Sequence, residues 1–364
     1  MYEIKKLPTK EIILDALRSE RVLLTPLGFV LVEEKPRIAG KYCPDALVEG
    51  RWASSSIIFA AEIRALSTPK SFSEGIAILK TAGLPKNRPP LLITPFLSES
   101  QLQELESEGI SGVDLCGNGV ITVPPRLMVF RTGSPNRFPS FAPIKNVYRK
   151  NSSLVGRLLF SCPRIQTVGR IVEEIARRNR IASSLNLPSL TVGTVSKALA
   201  RMEEDLIIVR ESSCISLLQP DTLLEKLSRN YSPALAEAIT LKVNVTGQTL
   251  SRRLGAIASV IKTPIAATGL SSVGRYAIMQ REEKLSVYCP CAEMLIEKLA
   301  SDASAANRFP NLEIFESQDP TLYFDAVDDE SFLWASPVQT FLELMAGDKR
   351  DQETAAQVRS LLIW

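Results

Sequence analysis

The stretch whose reading decides the fold is Thr191–Ser216, TVGTVSKALARMEEDLIIVRESSCIS. Val192, Val195, Leu199 and Met202 recur at spacings of three and four, which buries one face of a helix. The opposite face carries Thr191, Thr194, Ser196, Lys197 and Arg201. Short hydroxyls and long cations of this kind suit phosphates and base edges. After a break at Glu203–Asp205, the runs Leu206–Arg210 and Cys214–Leu218 read as two short strands joined by a polar turn.

Working upstream, Leu154–Phe160 and Val168–Arg178 supply two further helices, the second with Ile171, Val172 and Ile175 on an apolar side. Helices followed by a reading helix and a β-wing are the order of a winged helix-turn-helix. The plainer alternative is an amphipathic helix packed on a hairpin. The connection Asn179–Leu190 is long for the usual tight turn, so helix two is extended or the turn carries an insertion.

The chain has 364 residues, which predicts two or three domains, here 1–145, 150–232 and 236–364. At 45% apolar and 23% charged residues it has a globular balance. No apolar run approaches the ~20 residues of a membrane helix. The start lacks the apolar core of a signal peptide, so the expectation is a soluble, cytoplasmic protein. Charge is uneven. Residues 1–150 hold 20 Lys and Arg against 15 Asp and Glu, residues 151–235 hold 11 against 8, and residues 236–364 hold 12 against 17. A basic front and acidic back fit a DNA-facing part joined to one that avoids DNA or meets a basic partner.

The chain contains no histidine. That excludes histidine general acid–base catalysis, Ser–His triads and histidine metal ligands. Its 6 cysteines form one close pair, Cys289 and Cys291, where a structural zinc site needs two. Reduced, partly buried thiols are the expectation.

Within residues 1–145, Ala46–Val48 reads as a strand, Glu49–Trp52 as a polar turn and Ser56–Ile63 as a longer strand. Glu62 and Arg64 then point the same way, with Asp45 at the mouth of the preceding strand. Two carboxylates and a cation are what holds Mg²⁺ and a scissile phosphate. Pro44-Asp45 and Glu62-Ile63-Arg64 resemble the motif of the PD-(D/E)XK nuclease superfamily. An Ile- and Leu-rich helix precedes them, and a helix at Ser73–Thr81 and a strand at Leu91–Thr94 follow. The superfamily's lysine is Arg64 here, and arginine cannot act as a proton-transfer group. Lys80 is the candidate substitute. The alternative is a turn-capping Asp45 beside a surface ion-pair ladder. A second feature, Val113–Val120, reads as a tight turn at Gly117-Asn118-Gly119. In it Asp114 either bonds its own backbone or adds an acid to a site.

Taken together, the PD…E-x-R front, the DLCGN turn at Asp114–Asn118, the GTVSKAL helix at Gly193–Leu199 and the segments Ala267–Ser272 and Ser336–Arg359 resemble a long form of the AbiEi-type antitoxins of type IV toxin–antitoxin systems. The resemblance implies a regulator that binds its own promoter on double-stranded DNA and antagonises a nucleotidyltransferase-like toxin. The expected fold is α/β multidomain, with a PD-(D/E)XK-like mixed sheet, a winged helix-turn-helix and a C-terminal α/β domain that binds the partner. In that last domain, Leu241–Val245, Leu285–Tyr288 and Leu312–Phe315 read as strands. Ala292–Ala300, a helix opened by Ser336-Pro337 and Thr354–Leu362 read as helices, with Gly347–Glu353 as a charged loop. Asp325–Glu330 reads as a solvated acidic loop. The competing function is an Mg²⁺-dependent endonuclease using Asp45 and Glu62. A third keeps the nuclease fold as a catalytically dead DNA clamp. Only the endonuclease reading requires a cofactor.

Overall fold

The computed structural model describes residues 8–20, 23–37, 42–138, 146–179, 190–211, 213–233, 237–278, 284–300, 303–305, 309–329 and 331–363. They form an α/β protein with mixed sheets, divided into two compact units, Met1–Lys145 and Asn146–Trp364. No helix among the described residues is long and apolar enough to cross a membrane.

In the first unit, α1 (Lys10–Arg18) is capped by Thr9 and precedes β1 (Gly28–Glu34), β2 (Ala46–Trp52) and β3 (Ser55–Ile63). Then come α2 (Pro69–Thr81), β4 (Pro90–Thr94), α3 (Glu99–Ser107), β5 (Ser111–Asp114), β6 (Gly119–Val123) and β7 (Leu127–Arg131). The seven strands lie side by side in chain order. β3, β4 and β5 run parallel and the other neighbours antiparallel. α2 and α3 sit at the two parallel joins, where a hairpin turn cannot return the chain. Alternation along β4 explains the two cores: Leu91 and Ile93 pack in the cluster holding α1, and Leu92 in the one holding α2 and α3.

Glu49–Trp52, expected as a turn, is instead the second half of β2. Gly50 looks like a turn residue, but it serves packing, because a Cβ there would lie 2.9 Å from the Phe59 ring. The hairpin closes one step later, with Trp52 opposite Ser55 and Ala53 at φ +46°.

In the second unit the order is α4 (Ser153–Ser161), β8 (Arg164–Ile165), α5 (Val168–Arg178), α6 (Val192–Glu204), β9 (Ile208–Glu211), β10 (Cys214–Leu217) and α7 (Pro220–Arg229). β10 is the middle of a three-stranded antiparallel sheet, with β8 and β9 at its sides. The helices touch pairwise, α4 with α5, α4 with α6 and α5 with α6. The expected strand start at Leu206 gives way to Ile208, since Leu206 adopts φ +57°, which a strand does not admit. Most of the connection Asn179–Leu190, residues 180–189, lies outside the described residues.

Further along lie β11 (Ile239–Val243), α8 (Gly247–Ile261), β12 (Ala266–Ala267), α9 (Gly269–Ser272), β13 (Leu285–Cys289), α10 (Ala292–Leu299), β14 (Ala303–Ala305) and β15 (Leu312–Glu316). The chain ends with α11 (Pro320–Tyr323), β16 (Val327–Asp328), β17 (Leu333–Trp334), α12 (Pro337–Ala346) and α13 (Lys349–Leu362). Seven strands form one mixed sheet in the order β14-β11-β15-β13-β12-β17-β16. The charged segment expected as a loop at Gly347–Glu353 is largely the start of α13, because Asp348 caps it by accepting from Asp351 N at 2.9 Å.

Candidate functional site

The first turn of α6 is built by Thr191, whose Oγ1 accepts from Thr194 N at 3.2 Å. Val195, Ala198, Leu199 and Met202 form the buried stripe. Val192, expected in that stripe, is instead 57% exposed, because it sits in the first turn before the helix meets its neighbours. Thr191 and Lys197 are exposed, and Thr194 and Ser196 are half-buried. Lys197 makes no ion pair among the described residues, so its charge stays available to a ligand.

Arg201 is used differently. Its Nη2 lies 3.2 Å from Asp205 Oδ1 and its Nε donates to Asp205 Oδ2 at 3.3 Å. The Asp205 side chain is 1% exposed and also takes Tyr148 Oη at 2.6 Å. Arg201 therefore compensates a buried charge inside the module. On α5, Arg170, Arg177 and Arg178 surround Glu174, and the Arg177 guanidinium holds that carboxyl below the usual carboxylate range. Arg170 and Arg177 remain more than half exposed, so this helix also offers positive charge to solvent.

In the first unit the structure brings Asp45, Glu62 and Arg64 together. Asp45 stands just before β2, and its Oδ2 accepts from Ile63 N at 2.9 Å while Lys10 pairs with Oδ1. Glu62 Oε2 accepts from the Tyr42 phenol at 2.8 Å, and Oε1 lies 3.4 Å from Arg64 Nη2. Burial pushes the Glu62 carboxyl up, and it pushes the Tyr42 phenol up as well. Each of the four carboxylate oxygens thus already faces a cationic or hydrogen-bonding donor. A hard cation needs six or more oxygen ligands and would have to displace them. No group of three or more acidic or cysteine side chains among the described residues is arranged to hold a metal. As arranged, the two carboxylates are turned to Lys10, Ile63 N, Tyr42 and Arg64. Lys80 is not at this cluster: its ammonium bonds Glu108 at 2.6 Å, just past the end of α3.

The Asp114 turn is structural. Oδ1 accepts from the backbone N–H of Cys116, Gly117 and Asn118, and Oδ2 accepts from Leu97 N and Asn118 Nδ2. Only Gly117 of the expected pair of glycines needs positive φ, at +105°.

Sequence reasoning missed a cleft of about 1070 Å³ in the second unit. Arg275 stacks 5.2 Å over the Trp334 ring there, and both bond Asp329. Glu343 also lines it from α12, a helix whose buried residues include Gln339, Thr340 and Glu343. Those polar residues within an otherwise apolar helix were the available signal. No protein-family model matches the chain, and no curated protein and no solved structure matches it.

Proposed function

We propose that this protein is a sequence-specific DNA-binding transcriptional regulator, with α4–β10 as a winged helix-turn-helix and α6 as its reading helix. One observation carries the reading. β8, between the first two helices, pairs with β10 of the hairpin that follows α6. On α6, Thr191, Thr194, Ser196 and Lys197 stand exposed or half-buried, while Val195, Ala198, Leu199 and Met202 are buried. A helix so presented enters a major groove with its N-terminal residues on base edges. The test is fluorescence anisotropy of the full chain on duplex DNA from upstream of its own gene, against scrambled duplex, over a salt series. A linear fall of log affinity with log salt, plus preference for the upstream duplex, is expected. Equal affinity for both duplexes sinks the reading.

The order of sequence motifs extends this proposal to an antitoxin that opposes a nucleotidyltransferase-like toxin through residues 236–364. Relief of growth arrest on co-expression with an adjacent toxin gene tests that half. The endonuclease reading draws on a different observation. The order α1-β1-β2-β3-α2-β4, with Asp45 just before β2 and Glu62 on the adjoining β3, supports reading this unit as PD-(D/E)XK-like. The donors around both carboxylates favour a disarmed version of it, a fold kept for DNA contact.

A further inference from the structure

α4 is buried from Ser153 to Phe160, and within it stands a formal charge, Arg157, at 4% exposure. Its Nη1 donates to Thr321 O at 2.9 Å and to Gln339 Oε1 at 2.7 Å. Its Nε has no partner, and no carboxylate pairs with the guanidinium among the described residues. Burial pulls its pKa down to about 10, which leaves it cationic at neutral pH. The acids whose charge acts on it are Asp319, on the same cavity, and after it Glu343, which lies across Gln339. The Glu343 carboxylate is already engaged by Leu270 N, Tyr288 Oη and Gln339 Nε2. A buried charge without an ion-pair partner is costly, and buried charges in folded proteins are paired or ligand-bound.

Arg157 lines a cavity of about 220 Å³. Arg149, Lys150, Ser153 and Asn230 also line it, and Asp319 is the one acid among the lining residues. Arg149 and Lys150 are exposed and make no ion pair among the described residues. The Asp319 carboxylate caps α11, its Oδ1 accepting from Thr321 N at 2.9 Å and Thr321 Oγ1 at 2.7 Å. With Nη1 committed to Thr321 and Gln339 and Nε buried without a partner, the guanidinium keeps donor capacity that no group among the described residues uses. Arginine is the side chain suited to pairing with a carboxylate or phosphate. The volume accommodates several waters or one small organic anion.

We propose that this cavity is a binding site for a small oxyanion, the carboxylate or phosphate group of a metabolite, with Arg157 at its base and Arg149 and Lys150 completing it. The site stands whether or not α6 reads DNA. The test follows thermal unfolding of the full chain with inorganic phosphate, with succinate, and with sodium chloride at matched ionic strength. A saturable rise in midpoint with phosphate or succinate, beyond the chloride control, is expected. A response to phosphate alone assigns a phosphate-bearing ligand and a response to succinate alone a carboxylate-bearing one. The double variant Arg149→Ala/Lys150→Ala changes only exposed positions. It should weaken the response by about tenfold or more, the size of a lost charge-assisted contact. Arg157→Gln should abolish the response if that variant folds. No saturable rise with either anion overturns the proposal, and so does undiminished affinity in the double variant.

Discussion

Arg201 and Asp205 are joined one turn apart on α6, with the carboxylate 1% exposed and the guanidinium 33% exposed. The same carboxylate holds Lys226 at 3.4 Å and the Tyr148 phenol at 2.6 Å. Asp205 is thereby the anchor that ties the end of α6 to α7 and to the segment before α4. A cation on the face expected to meet DNA is thus committed to the fold.

This separates two substitutions that look alike in the sequence. Lys197→Ala should weaken duplex binding by about 1–3 kcal/mol if it reads a base, and by less if it meets only phosphate, with an unchanged unfolding midpoint. Arg201→Ala should cost about 1–2 kcal/mol of stability, because Asp205 keeps two partners and Arg201 is partly solvated. Anisotropy and denaturant titration on both variants check this. A stability loss in Lys197→Ala with unaltered DNA affinity would reverse the assignment.

Glu62 makes a pH signature in the first unit. Burial raises its folded pKa above the unfolded value, so the folded state binds more protons between the two. Its contribution to stability is therefore greatest below the ordinary carboxylate range and is lost as pH rises through the folded pKa. Glu62→Gln should remove that slope, and the wild type should lose ground against it on going from acid to neutral pH. Parallel denaturation curves for the two proteins at every pH would show that Glu62 titrates normally.

Plasmid DNA should survive incubation with the protein and Mg²⁺ or Mn²⁺, and Arg64→Lys should change little. The reason is the occupied oxygens of Asp45 and Glu62, to which Lys10, Ile63 N, Tyr42 and Arg64 are directed. Cleavage by the wild type that disappears in both Asp45→Ala and Glu62→Ala would establish the endonuclease instead. Cleavage confined to Arg64→Lys would identify a fold disarmed at one position.

Two helical glycines should answer alanine in opposite directions. A Cβ on Gly255, within α8, would overlap the Ser331 backbone carbonyl, which cannot swing aside as a side chain can. Gly255→Ala should cost about 1–3 kcal/mol or more. At Gly169 in α5 the nearest atom, Thr167 Oγ1, lies 3.9 Å away. Gly169→Ala should therefore gain up to about 1 kcal/mol from helix propensity. Thermal unfolding of both variants decides it, and a stabilised Gly255→Ala would mean that α8 packs differently.

By itself the sequence determined the elements whose signals are local. The three- and four-residue spacing through Val195, Leu199 and Met202, and the cap at Thr191, made α6 legible. Asp114 could be placed in a self-bonded turn because its acceptors find their donors within four residues, apart from Leu97. Glu62 and Arg64 share a side because a strand alternates. Tertiary structure alone decided which charges were already spent. Lys80 meets Glu108 across 28 residues and Arg157 meets Gln339 across 182. Gly50 reads locally as a turn and is in fact a slot for Phe59. Such pairings leave no period in the chain. Ion pairs and ring contacts form between side chains that only packing brings together, and burial then sets the cost of leaving any one of them without a partner.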